Sequence, residues 1–162
     1  MHLNMSAVQK ITPFLWFDSQ ADEALEFYTS LFPDSRIVSV NRYPDGPSKG
    51  NVLTAVFELF GQRFMAIDGG PMFSFTEAIS MHVDCETQEE VDRYWEALID
   101  GGKELMCGWC TDRYGLSWQI IPRRLYELLQ DTDPARAKRA TDAMLKMRKI
   151  DVAVLEAAVR EN

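Results

Sequence analysis

The spacing of apolar residues changes along this chain in an order that marks out its elements. Residues 11–17 (ITPFLWF) form an apolar, aromatic run that predicts a buried strand, and Pro13 places it at a sheet edge or at the strand's start. Residues 18–21 give a polar start. After them Ala24, Leu25, Phe27, Tyr28, Leu31 and Phe32 recur at helical spacing until Pro33 ends the helix. Residues 37–43 predict a strand, and residues 44–50, rich in Pro, Gly, Ser and Lys, a loop. Residues 52–59 and 63–67 read as two strands of a hairpin about Gly61-Gln62, and Gly69-Gly70-Pro71 closes the segment.

The order then restarts. Residues 78–83 predict a strand and 84–87 a polar start. Residues 89–99 predict a helix with Val91, Tyr94, Trp95 and Leu98 on its apolar stripe, ended by Gly101-Gly102. Residues 105–111 and 117–121 predict strands about a turn at Tyr114-Gly115. A shift of 66 positions sets Asp18 on Asp84, Glu23 on Glu89, Leu25 on Val91, Tyr28 on Tyr94 and Phe32 on Leu98. A shift of 54 sets Gly61 on Gly115, Phe64 on Trp118 and Ile67 on Ile121, the longer loop of the first copy accounting for the difference. The matched order of strand, helix and three strands points to a duplicated βαβββ unit, with repeats over residues 11–68 and 77–122. Residues 123–162 read as a helical extension of the same domain, with helices at 124–130, 134–147 and 151–160. The expected class is α+β.

Composition narrows the functional field. A chain of 162 residues suits one domain. Its formal net charge of −8, with no cluster of Lys and Arg, argues against nucleic acid and anionic membrane as partners. No stretch reaches the length of an apolar membrane span, and residues 1–10 lack a basic start and apolar run, so a cytoplasmic protein is expected. Three cysteines are too few for a disulfide framework.

Three segments carry a resemblance. ITPFLWFDSQADEALEFYTSLFPDS, GGPMFSFTEAIS and CGWCTDRYGLSWQIIP, in that order, closely resemble the PhnB-like branch of the vicinal oxygen chelate (glyoxalase, bleomycin-resistance and dioxygenase) superfamily. The resemblance covers about residues 11–150. It implies paired βαβββ modules forming a cup-shaped mixed sheet around a small-molecule pocket, in a homodimer. Superfamily members include metal-dependent lyases, isomerases and dioxygenases as well as metal-free binding proteins, and proteins of this branch are often labelled demethylubiquinone methyltransferases. This sequence shows no βα unit carrying a glycine-rich nucleotide loop that would hold S-adenosylmethionine.

The resemblance also gives four positions where metal-dependent members place ligands, one in the first and one in the last strand of each repeat. Here they are Ile11, Met65, Glu77 and Gln119. Glu77 and Gln119 alone carry oxygen donors, too few for a catalytic divalent ion, so no metal and no other cofactor is expected; the alternative is a metal-dependent lyase, isomerase or dioxygenase with a divalent ion at Glu77 and Gln119. Of the two histidines, His2 reads as a terminal bystander and His82 as a core or helix-facing residue, the alternative being a pocket role for His82 as a general base if strand twist or a bulge flips the parity. Strand alternation from Glu77 and Gln119 assigns Leu15, Phe17, Arg63, Met81 and Ser117 to the same face, with Met65 added by the repeat. The expectation is a small-molecule pocket lined by Leu15, Phe17, Arg63, Met65, Glu77, Met81, Ser117 and Gln119, mostly apolar with a few polar handles. Cys107 and Cys110 have the spacing of a redox pair, but the segment leads into a turn and strand rather than a helix N-terminus. Asp112-Arg113 is expected to organise that turn. These residues name no substrate.

Overall fold

A computed structural model describes residues 9–160. Its contacts divide the chain into two units, one up to Ser74 and one from Phe75. His2 lies outside the described residues.

The first unit runs β1 (Phe14–Phe17), α1 (Ala21–Leu31), β2 (Arg36–Arg42), β3 (Val52–Leu59) and β4 (Gln62–Asp68). Its sheet has the order β1-β4-β3-β2, with β1 parallel to β4 and the other pairs antiparallel. The β3–β4 hairpin closes on Phe60 and Gly61, both in the left-handed region (φ 51° and 75°), as a tight two-residue turn requires. Helix α1 buries Ala21, Ala24, Leu25, Tyr28 and Leu31, the stripe read from the sequence. No side chain at Gln20 caps this helix. Asp68, at the end of β4, supplies the acceptor instead. Its Oδ1 takes the Ala21 N–H and its Oδ2 the Val52 N–H, each at 2.9 Å, so one buried carboxylate ties the helix start to the start of β3.

The second unit repeats this order: β5 (Met81–Cys85), α2 (Gln88–Ile99), β6 (Lys103–Glu104), β7 (Trp109–Thr111) and β8 (Ser117–Pro122), paired as β5-β8-β7-β6 with β5 parallel to β8. Thr87 caps α2 through the Glu90 N–H. Three helices follow: α3 (Arg123–Leu129), α4 (Pro134–Met144) and α5 (Val152–Arg160). They gather around Ile121, Leu125, Leu128, Ala140, Ile150, Leu155 and Val159. The α+β fold of duplicated βαβββ order with C-terminal helices stands as read. The strands form two four-stranded sheets, one from each unit.

Three local expectations change. The strand expected at 78–83 runs from Met81 to Cys85, and residues 77–79 form a turn and bend ahead of it. The strand expected at 105–111 is broken, because Cys107 and Gly108 both take positive φ (60° and 83°). Their N–H groups turn out of the sheet to donate to Met147 O at 2.8 Å and Arg148 O at 2.7 Å. A Cβ at Gly108 would lie 2.7 Å from Ile121 Cδ1, so glycine is needed there for space as well as for conformation. The helix expected to reach Met147 stops at Met144, leaving the Met147 carbonyl available to Cys107.

Candidate functional site

In each unit one sheet face lies under the helix of its βαβββ order, α1 or α2, and the opposite face is called helix-free in that sense. Trp95 Nε1 on α2 donates to Glu104 Oε1 at 3.0 Å, which assigns Glu104 and, through the strand register, Cys110, Trp118 and Met81 to the helix side. The opposite face therefore carries three rows. Lys103, Thr111 and Ser117 form the first, Trp109, Gln119 and His82 the second, and Asp84 with Ile121 the third. Ile121 in the third row lies in the core of α3–α5, so the C-terminal helices cover that end of the face.

The middle row is polar and half open. Gln119 Nε2 donates to Ser80 Oγ at 2.8 Å. His82 is exposed, and its Nε2 lies 2.9 Å from the Tyr126 hydroxyl on α3, with ring centroids 5.7 Å apart. In the first row the Ser117 hydroxyl is fully buried and has no hydrogen-bond partner among the described residues. A buried hydroxyl left in this state costs free energy, on the order of 1–3 kcal/mol, until something accepts or donates to it. Thr111, directly across from Ser117, lines an open cleft of about 320 Å³ together with Phe75, Glu77, Lys103, Asp112 and Arg113.

The charges of that cleft have different roles. Asp112 is buried and already engaged: Oδ1 accepts from the N–H groups of Tyr114 and Leu116, and Oδ2 from Trp118 Nε1 at 2.9 Å. It organises the Asp112–Gly115 turn, as expected. Arg113 stands 3.7 Å from Asp100. The side chains of Glu77 and Lys103 are both exposed and make no hydrogen bond or ion pair with the described residues.

The eight residues assigned to one pocket are thus divided. Ser117 and Gln119 share the helix-free face of the second sheet, and Glu77 stands in the turn bordering its cleft. Met81 pairs with Trp118 and belongs to the α2 side. In the first unit Arg63 and Met65 lie on the helix-free face, Arg63 at 3.6 Å from Glu58. Leu15 and Phe17 do not share that face. Leu15 pairs with Ala66 and Phe17 with Asp68, which places both in the buried layer under α1. Beside Met65 on the open face stand Phe14 and Trp16. The Trp16 ring lies against Gly69, where a Cβ would approach to 2.3 Å, and its Nε1 donates to Gly70 O at 2.9 Å.

His82, like Met81, Leu15 and Phe17, lies on the face opposite to the one first expected of it. Parity was counted from Glu77, which is outside the strand. The alternation within MHVDC itself, His82 and Asp84 exposed against buried Val83 and Cys85, carried the correct signal. Strand pairing also adjusts the repeat: Phe14 pairs with Met65 and His82 with Gln119, so the first strands correspond at a shift of 68 while the hairpins keep 54.

That register replaces Ile11 and Glu77 by Phe14 and His82 as the residues beside the last-strand positions. The first unit then offers Phe14 and Met65, with no oxygen or nitrogen donor. The second offers His82, whose Nε2 lies 2.9 Å from the Tyr126 hydroxyl, and Gln119, whose Nε2 donates to Ser80 and whose oxygen is a single weak donor. No three His, Cys, Asp or Glu side chains converge among the described residues. This donor set does not fit a catalytic divalent ion. In the Cys107–Cys110 pair, burial pushes the Cys110 thiol up to about 12, which disfavours its thiolate.

Residues 9–121 match the family described as 3-demethylubiquinone-9 3-methyltransferase. A PhnB protein from Bacillus cereus, provisionally named a 3-demethylubiquinone-9 3-methyltransferase, is 46% identical, with a TM-score of 0.67, over 70% of this chain and 99% of that one. A Pseudomonas aeruginosa protein is 22% identical, with a TM-score of 0.62, over 71% and 98%. A Staphylococcus aureus protein is 36% identical, with a TM-score of 0.35, over 70% and 96%. No curated protein matches the chain.

Proposed function

We propose, since this chain belongs to the PhnB-like family of the vicinal oxygen chelate superfamily, that it is a small-molecule-binding protein or a metal-independent enzyme acting on the helix-free face of its second sheet. One observation carries the reading. The Ser117 hydroxyl is fully buried without a partner among the described residues, in the same row as Thr111 of the open cleft. Evolved cores satisfy their buried hydroxyls, so an unsatisfied one next to an opening is what a ligand or an ordered water would complete. Along the same face Gln119 and the His82–Tyr126 pair add fixed polar groups beside the half-buried Trp109, an arrangement that orients a small ligand.

A metal-dependent reaction finds no support in the donor set described above. The methyltransferase activity in the family's description also lacks a matching feature among the described residues. Nucleotide-binding α/β sites sit at the carboxyl ends of parallel strands, where a glycine-rich turn opens a helix. Here Gly69-Gly70 leads into a turn at Pro71, and Gly101-Gly102 follows a helix instead of starting one.

The test is a fragment screen by protein-observed NMR on the intact chain. Hits are expected to shift the amides of Trp109, Ser117, Gln119 and His82, and Ser117→Ala is expected to weaken them. Hits confined to other surfaces, or indifferent to Ser117, would remove the basis of the reading. The homodimer implied by the resemblance belongs to the same proposal, and solution mass with and without residues 134–162 tests the part given to the C-terminal helices.

A further inference from the structure

The cleft beside Ser117 carries two charges of opposite sign that do not use one another. Glu77 enters from the turn ahead of β5 and Lys103 from β6. Both line the same opening of about 320 Å³, and neither is paired with a described residue. The remaining ionic groups of the cleft are committed, Asp112 to three N–H donors and Arg113 to Asp100. On the Lys103 side the same row continues through Thr111 to the unpartnered Ser117 hydroxyl. The opening therefore presents a negatively charged acceptor at one border, and an ammonium beside the Thr111 hydroxyl at the other. An anion alone would meet Glu77, and a cation alone would meet Lys103. A molecule carrying both signs satisfies each.

We propose that this cleft takes a small zwitterion of the amino-acid class, its ammonium on the Glu77 carboxylate and its carboxylate on Lys103, with Thr111 as a neighbouring hydroxyl. The proposal rests on the reading of the second sheet's open face given above and names the class of ligand it holds. A volume of about 320 Å³ suits such a molecule, at the small end of ligand sites.

The experiment titrates the intact chain with 4-aminobutyrate, butyrate and butylamine, probes of one length and three charge patterns, following backbone amides by NMR. 4-Aminobutyrate is expected to move the amides of Gly102, Lys103, Thr111 and Arg113 and to bind about ten-fold more tightly than either singly charged probe. Glu77→Gln is expected to bring its affinity down to that of butyrate, and Lys103→Met down to that of butylamine. Both side chains are exposed, so the variants keep the fold. Equal binding of butyrate or butylamine would overturn the proposal, as would shifts that ignore both substitutions. A cleft left unmoved by 4-aminobutyrate would overturn it too. In that case fragment shifts at His82, Trp109 and Gln119 decide separately whether the face reading survives.

Discussion

On the helix-free face of the first unit, Phe14 stands beside Met65 and Trp16 beside Ile67. At the matching places of the second unit His82 stands beside Gln119 and Asp84 beside Ile121. The backbone pairing is the same, and so is the position of the helix on the other side. What differs is the chemistry placed on the scaffold: apolar and aromatic in the first unit, hydrogen-bonding in the second. The two buried aspartates differ in the same spirit. Asp68 ties a helix start to a strand, while Asp112 holds a turn together and anchors an indole. A duplicated fold thus keeps its helix-side core in both copies and leaves the other face to diverge, which is where a binding role can arise.

This comparison can be broken at several points. Asp112→Ala strands three donors and is expected to cost the most, roughly 3–5 kcal/mol in chemical denaturation. Asp68→Ala strands two and should cost about 2–4 kcal/mol. A larger loss for Asp68 would reverse the ranking of the two carboxylates. Gly69→Ala has no counterpart in the second unit. Its new methyl would overlap the Trp16 ring, with about 1–3 kcal/mol lost and a changed near-ultraviolet dichroism. An unchanged spectrum would show that Trp16 does not depend on that glycine.

Acid should act more strongly on the second unit. Lys149 holds the Asp92 carboxyl below its usual 3.8, and Arg124 holds Glu156 below 4.5. A carboxyl lowered by folding contributes stability above its unfolded value, and that contribution fades as pH falls through the folded one. In the first unit Asp22 is lowered in the same way by Arg42. Hydrogen exchange between neutral pH and the low end of the carboxylate range is therefore expected to loosen α5 and residues 145–150 before the first sheet. The smallest effect belongs to Tyr126→Phe, about 0.5–1 kcal/mol, read as a moved His82 ring resonance. A resonance that stays in place would mean the hydroxyl does not set the imidazole.

Much of this architecture was legible in the pattern of residues. Helical stripes such as Ala24, Leu25 and Tyr28, or Val91, Tyr94 and Leu98, repeat at a spacing that only one element satisfies, and both helices lie where that spacing places them. Strand 52–59 was equally plain. The site was less so. Faces in a sheet depend on where a strand begins, and β5 begins at Met81, several residues after the position from which parity was counted. Leu15 and Phe17 went to the wrong face because the register of a parallel pair is set by distant residues. Cys107-Gly108 read as part of a strand because its left-handed turn is stabilised by carbonyls about forty positions away.

That last contact bears on the order in which the molecule can be made. The first sheet has all its strands once residue 68 is present. The break before β7 stays without its partners until Met147 and Arg148 have been added, and Gln88 waits for Ile150 and Val152. Chains grow from the amino end at roughly 5–20 residues per second. The first unit can therefore settle seconds before the second has its full set of backbone partners. During that interval the more polar of the two open faces is also the one still under assembly.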